Sequence, residues 1–185
     1  MSTLPNPLPA TIIEALDAMF AARQTTIARD LKLNLKRFLT EASLSPDEGL
    51  LNLLATATSV GEDNLATLAR HYLAAAGVTE EQIQEAAESA AIMGMNNVYY
   101  RFRHMIQKDE EYRTAGLRMT GMARPALGKE KFEMLAFAVS VINGCEQCIR
   151  AHEKALRDTG ASADKVHDLA RLAATVKGIQ GLQIR

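Results

Sequence analysis

The sequence predicts an all-α protein built as a single domain, and three observations carry that expectation. Apolar residues make up 48% of the 185-residue chain while aromatics make up only 5%, with no Trp. Packing therefore falls to Ala, Leu, Ile, Val and Met, which suits closely packed helices better than a sandwich of aromatic and β-branched strands. Apolar positions recur at helical spacing, helix start and stop signals punctuate them, and convincing alternating strands are absent. The chain is long enough to bury a sizeable core. The expectation is about seven to nine helices and no sheet.

The N-terminal run Met1-Ser-Thr-Leu-Pro-Asn-Pro-Leu-Pro9 has no basic opening and no apolar stretch, so it does not read as a signal peptide. Ala10 to Leu39 then carries apolar residues at helical spacing: Ile13, Leu16, Phe20 and Ile27, followed by Leu31, Leu35 and Phe38. Ser45-Pro46-Asp47-Glu48 reads as an N-cap, a proline at the first helical position and acids in the first turn. Gly77 ends a helix, and Thr79-Glu-Glu-Gln82 opens the next as a capping box. Phe132 to Ile142 is a further amphipathic or buried helix, stopped by Asn143-Gly144.

The chain also resembles itself. A shift of 83 residues lays Gly61 on Gly144 and Gly77 on Gly160, Leu54-Ala55 on Phe137-Ala138, and Thr79 to Ile83 on Ser162 to Val166. Each copy reads helix, glycine break, helix, glycine stop, capped helix, and such units pack together to share one core. Chance similarity among Ala- and Leu-rich helices is the competing explanation. On the repeat reading, one domain over 1–185 holds a degenerate first unit at about 45–100 and a catalytic second unit at about 128–182. Glu62 and Leu65 then stand in the positions of Cys145 and Cys148.

Charge excludes several roles. Lys plus Arg number 21 against 22 acidic residues, a formal net charge of −1, which removes the electrostatic case for nucleic acid or an anionic membrane surface. No apolar run reaches the roughly 18 residues of a membrane span. The expected location is the cytoplasm. The two cysteines, Cys145 and Cys148, are spaced C-x-x-C, and in a reducing compartment such a pair points to redox chemistry or half a metal site rather than a staple.

A helix opening near Cys145 and running toward Arg157 places both thiols in its first turn. There the free N–H groups and the helix dipole favour a thiolate, the attacking species in disulfide exchange. The i,i+3 spacing sets both sulfurs on nearly one face. His152, four residues after Cys148, shares that face one turn deeper. Glu133 lies ten residues before Asn143 and His152 eight after Gly144, so an antiparallel return puts both about 12–15 Å from the turn. Carboxylate, imidazole and thiols then form an orienter, a base and a nucleophile. A zinc site with His152 as third ligand is the alternative, but His71, His104 and His167 show no paired spacing to complete it.

The pattern F-E-x-x-x-F-A-V-S-x-I-N-G-C-x-x-C-x-x-A-H-E resembles the alkyl hydroperoxide reductase D (AhpD) branch of the carboxymuconolactone decarboxylase-like superfamily. Ala90-Ala-Ile-Met-Gly-Met-Asn-Asn-Val-Tyr-Tyr-Arg101 and Gly116-Leu-Arg-Met119 are also similar to that branch, and the likeness runs from about Lys32 onward. The resemblance implies a duplicated helical fold, a homotrimer and weak direct peroxidase activity; no bound cofactor or metal is expected. It further implies dithiol reduction of a partner peroxiredoxin, AhpC, with electrons from dihydrolipoamide on a lipoylated acyltransferase subunit and lipoamide dehydrogenase. Cys145 would be proton donor and resolving thiol; Cys148 would form the sulfenic acid and the interchain disulfide with the peroxiredoxin; Glu133 and His152 would relay the proton. Gln147 stands where some relatives carry His. By thioredoxin-like logic the first thiol, Cys145, is the more exposed and attacks, whereas the His152 spacing and the family pattern favour Cys148. A carboxymuconolactone-type decarboxylase or lyase is the competing function, although such lyases need no dithiol.

The remaining polar features read as packing or surface. Met93-Gly94-Met95 and Asn96 to Tyr100 are expected to pack, with lining of the pocket or a subunit contact as the alternative, and Arg101-Phe-Arg-His104 to be a small solvated basic cluster.

Overall fold

The computed structural model describes residues 4, 7–108 and 110–183. The reading of the N-terminal run falls partly on residues 1–3, 5 and 6, which lie outside the described residues. Among the described residues there are eight α-helices and no strand: α1 (Ile12–Met19), α2 (Thr26–Thr40), α3 (Pro46–Val60), α4 (Asp63–Ala75), α5 (Glu80–Ile106), α6 (Lys129–Asn143), α7 (Glu146–Asp158) and α8 (Ala163–Leu182), with a 3-10 turn at Thr120–Met122. The fold is an all-α single domain.

Capping chemistry sets most of these starts. Thr11, Ser45 and Thr79 each close a capping box, with Glu14, Glu48 and Gln82 as the reciprocal partners, and Pro46 follows Ser45 at the first helical position. The stretch Ala10 to Leu39 differs from expectation. It breaks after Phe20 and restarts where the Thr25 hydroxyl accepts from the Ala28 N–H. The restart resets the helical phase, so Ile27, in line with Phe20 on a continuous helix, is 67% exposed.

α3 lies at the centre, against α4, α5, α6 and α8, while α6 also packs on α5, α7 and α8. The main core draws on all of these except α7, with Leu51, Leu53, Leu54, Leu65, Leu68, Leu135, Val139 and Leu172 among its members. A smaller cluster of Met134, Phe137, Leu156, Ala161, Val166 and Leu169 seats α7 on α6 and α8. Two polar ties hold α8 to the chain around α3. Lys165 Nζ lies 2.7 Å from Glu48 Oε1, and the Ser43 N–H donates to Asp168 Oδ2 at 2.9 Å. Burial pushes the Asp168 carboxyl up, but the Ser43 N–H and the Arg171 guanidinium outweigh it and hold the group below its ordinary value.

Helix starts fall into a register. α3, α4 and α5 begin at 46, 63 and 80, and α6, α7 and α8 begin at 129, 146 and 163, each 83 residues later. Gly61 and Gly144 both end their helices in the left-handed conformation, at φ 71° and 63°, where a side chain is strained. Glu62 (φ −94°, ψ 79°) and Cys145 (φ −91°, ψ 92°) follow with nearly the same backbone. No helix among the described residues is long and apolar enough to cross a membrane.

Candidate active site

Cys145 is the N-cap of α7 and Cys148 its third residue; the Cys145 sulfur accepts from the Cys148 N–H at 3.4 Å. The two are joined by a disulfide, with Cα atoms 5.3 Å apart. The turn before them is a glycine C-cap: the Gly144 N–H bonds to the Ser140 and Val141 carbonyls, and the Cys145 N–H reaches the Ser140 carbonyl at 3.2 Å.

α7 is sharply amphipathic, burying only Cys148 and Leu156, which lie eight residues apart. His152 sits midway between them on that face. Its Nδ1 lies 2.6 Å from Glu133 Oε2 on α6, and both side chains are largely buried, at 14% and 18% exposure. The antiparallel return of α6 and α7 therefore brings the two residues together. An imidazole N–H donating from Nδ1 to the carboxylate leaves Nε2, across the ring, free to accept a proton.

Two expectations about exposure need correction. Cys145 is fully buried and Cys148 is 6% exposed, so Cys145 is not the more accessible sulfur. The N-cap position turns Cys145 inward beneath the glycine turn. Nor is Arg101 merely solvated: it is half-buried, and its Nη1 donates to the Asn143 carbonyl at 2.5 Å. His104 is exposed, with Nε2 3.9 Å from Glu146 Oε2. Gln147 is exposed, and so is His71.

A polar group that sequence periodicity did not single out as part of the site lies behind the turn. Asn97 on α5 is fully buried; its Nδ2 donates to Ser140 Oγ and its Oδ1 accepts from Asn143 Nδ2, both at 2.9 Å. α5 also buries Ser89 and Asn96 beside its apolar residues, so its helical period does not single out Asn97. Among the described residues, no three His, Cys, Asp or Glu side chains gather as metal ligands.

A buried disulfide at a helix start, with a carboxylate–imidazole pair one turn along, is an arrangement suited to thiol–disulfide chemistry on an all-helical frame. Comparisons with known proteins give that arrangement a family. The model of the carboxymuconolactone decarboxylase family matches residues 111–183. The chain is 44% identical over 165 residues to a protein named alkyl hydroperoxide reductase AhpD from Anaeromyxobacter dehalogenans, covering 88% of this chain and 87% of that one. Like-named proteins from Maricaulis maris (44% identical, 82% of this chain, 88% of that one) and Streptomyces coelicolor (37% identical, 82% and 85%) are also similar. The chain belongs to the AhpD family and is an oxidoreductase-type enzyme.

Proposed function

We propose that this enzyme is a cytoplasmic antioxidant dithiol oxidoreductase that reduces an oxidised partner peroxiredoxin of the AhpC type, taking electrons from dihydrolipoamide. The observation that carries this is the Cys145–Cys148 disulfide lying on the same short helix as the Glu133-bonded His152. In the reductive half, one thiolate of dihydrolipoamide opens the protein disulfide to a mixed disulfide and the second attacks the lipoyl sulfur of that bond; the protein gains two electrons and two protons as a dithiol, and lipoamide closes its own ring. In the oxidative half, Cys148 forms a mixed disulfide with the peroxiredoxin. Cys145 then displaces the reduced peroxiredoxin and restores the intrachain bond. Cys145 is the resolving thiol because it is the more deeply buried of the pair.

A slower direct reaction accompanies this. The Cys148 thiolate attacks the terminal oxygen of an alkyl hydroperoxide; the O–O bond breaks, the alkoxide takes a proton, and a sulfenic acid remains. Cys145 attacks that sulfur and releases water. His152, oriented by Glu133, moves protons at the sulfurs in both cycles. The electrons come from a lipoylated acyltransferase subunit recharged by lipoamide dehydrogenase, and the chain works as a homotrimer. The dithiol supports this reading over a carboxymuconolactone-type decarboxylase, whose chemistry has no use for a disulfide.

The test is a reconstituted assay with dihydrolipoamide, oxidised AhpC and this protein. Reduction of the peroxiredoxin is expected only with the protein present and is lost in Cys148→Ser. Dihydrolipoamide reducing the Cys145–Cys148 bond with no onward transfer to the peroxiredoxin would remove the partner from the scheme.

A further inference from the structure

We propose that Asn97, with Arg101 behind it, is a positioning residue for the dithiol, holding the α6–α7 turn so that the two sulfurs stay within reach once their bond is open. This rests on Cys145 and Cys148 being a working redox pair, and goes beyond it by assigning a task to residues on a different helix.

The turn between α6 and α7 bonds back to the end of α6 through the Gly144 and Cys145 N–H groups. Its corner is a glycine in the left-handed conformation, and the last carbonyls of α6 have no partner within their own helix. α5 adds a hold at three points. Asn97 Nδ2 holds Ser140 Oγ, Asn97 Oδ1 takes the Asn143 side-chain N–H, and Arg101 caps the Asn143 carbonyl. Ser140 is the junction: its hydroxyl is held by Asn97 while its carbonyl receives the Cys145 N–H. The main chain of Cys145 is therefore referenced to α5 through a single intervening residue. Asn97 and Ser140 are both completely buried, so in the intact protein each is bonded by the other rather than by bulk water.

In the oxidised protein the disulfide itself ties Cys145 to Cys148. On reduction that tie is lost, and the turn is held by its own hydrogen bonds and by α5. The equilibrium for closing the disulfide depends on the effective concentration of one thiol at the other, which falls as the reduced turn gains freedom. Loosening the clamp therefore disfavours the disulfide relative to the dithiol and raises the reduction potential.

The experiment equilibrates the full-length protein in glutathione redox buffers, where the disulfide plus two glutathione thiols gives the dithiol plus glutathione disulfide. Wild type is compared with Asn97→Ala, Arg101→Met and Arg101→Lys, and Asp168→Asn serves as a stability control away from the turn. Expected is a three- to tenfold fall in the ring-closure constant for Asn97→Ala and Arg101→Met, tenfold being about 30 mV for this two-electron couple. Arg101→Lys, which keeps a donor for the Asn143 carbonyl, recovers most of the loss, and Asp168→Asn lowers Tm without moving the constant. If Asn97→Ala fails to fold, the half-exposed Arg101 pair decides the matter. A constant unchanged within threefold, or an equal shift in Asp168→Asn, reduces the network to ordinary packing. A wild-type disulfide that never titrates overturns the redox reading instead, which separates the two failures.

Discussion

Glu133 and His152 are 19 residues apart in sequence, yet the carboxylate oxygen and the imidazole Nδ1 stand 2.6 Å from each other across two antiparallel helices. With both side chains largely shielded, the contact fixes the ring orientation, and the proposed relay would use Nε2. Removing either residue is expected to lower peroxide and peroxiredoxin turnover by about 10²–10⁴-fold, the usual worth of a positioned acid–base group. The rate of thiol alkylation against pH separates their roles. In His152→Phe the inflection moves to higher pH with unchanged circular dichroism, while Glu133→Gln mainly misorients the ring and shifts it less. Wild-type inflections and turnover in both variants would mark the pair as packing.

Thiol counting tests the dithiol. Two free thiols are expected after reductant and none after mild peroxide, because Cys145 and Cys148 close on each other. Cys148→Ser should abolish turnover, whereas Cys145→Ser leaves a single sulfur that accumulates as sulfenic acid or as a mixed disulfide with the peroxiredoxin. Chelators should leave both helicity and activity intact. One zinc per chain that depends on Cys145 and His152 would replace the redox scheme with a metal site.

Asp168 links stability to pH. Its folded carboxyl lies below the ordinary value of 3.8, so the stabilisation is present above that value and is lost as pH falls through the folded one. Asp168→Asn removes a charge-assisted tie between α8 and Ser43 and should cost about 1–3 kcal/mol at pH 7. Denaturation midpoints measured from pH 7 down to pH 3 should show the gap between wild type and variant shrinking over the acid end. A gap constant across that range would mean that the lost charge is not its source.

Much of this protein was legible in its sequence because the signals are local. Ser45, Thr79 and Gly144 act through hydrogen bonds and backbone preferences that reach only three or four residues, so caps and turns could be read directly. Glu133 and His152 were found because a short turn between two helices converts sequence offset into height. The break before Thr25 was missed, since Ala21 to Gln24 contains no glycine or proline and the apolar spacing runs on across it. Asn97 and Arg101 were missed as parts of the site for a different reason. Their partners lie more than forty positions away on α6, and nothing in a helical repeat announces which polar residue faces a neighbouring helix. The burial of Cys145 likewise depends on how α7 settles on its own small cluster of apolar residues, a tertiary fact.

The corner at Gly61 and Glu62 repeats the one at Gly144 and Cys145 almost angle for angle, and Leu65 stands three places into its helix as Cys148 does in the other. One corner carries a disulfide; the other carries a buried acid whose burial, with Asp63 beside it, raises its carboxyl from its ordinary value. Reactivity in this chain is thus a matter of furnishing rather than architecture. The main chain builds the same seat twice, and the occupants of two positions separate a seat that holds a disulfide from one that holds a buried acid.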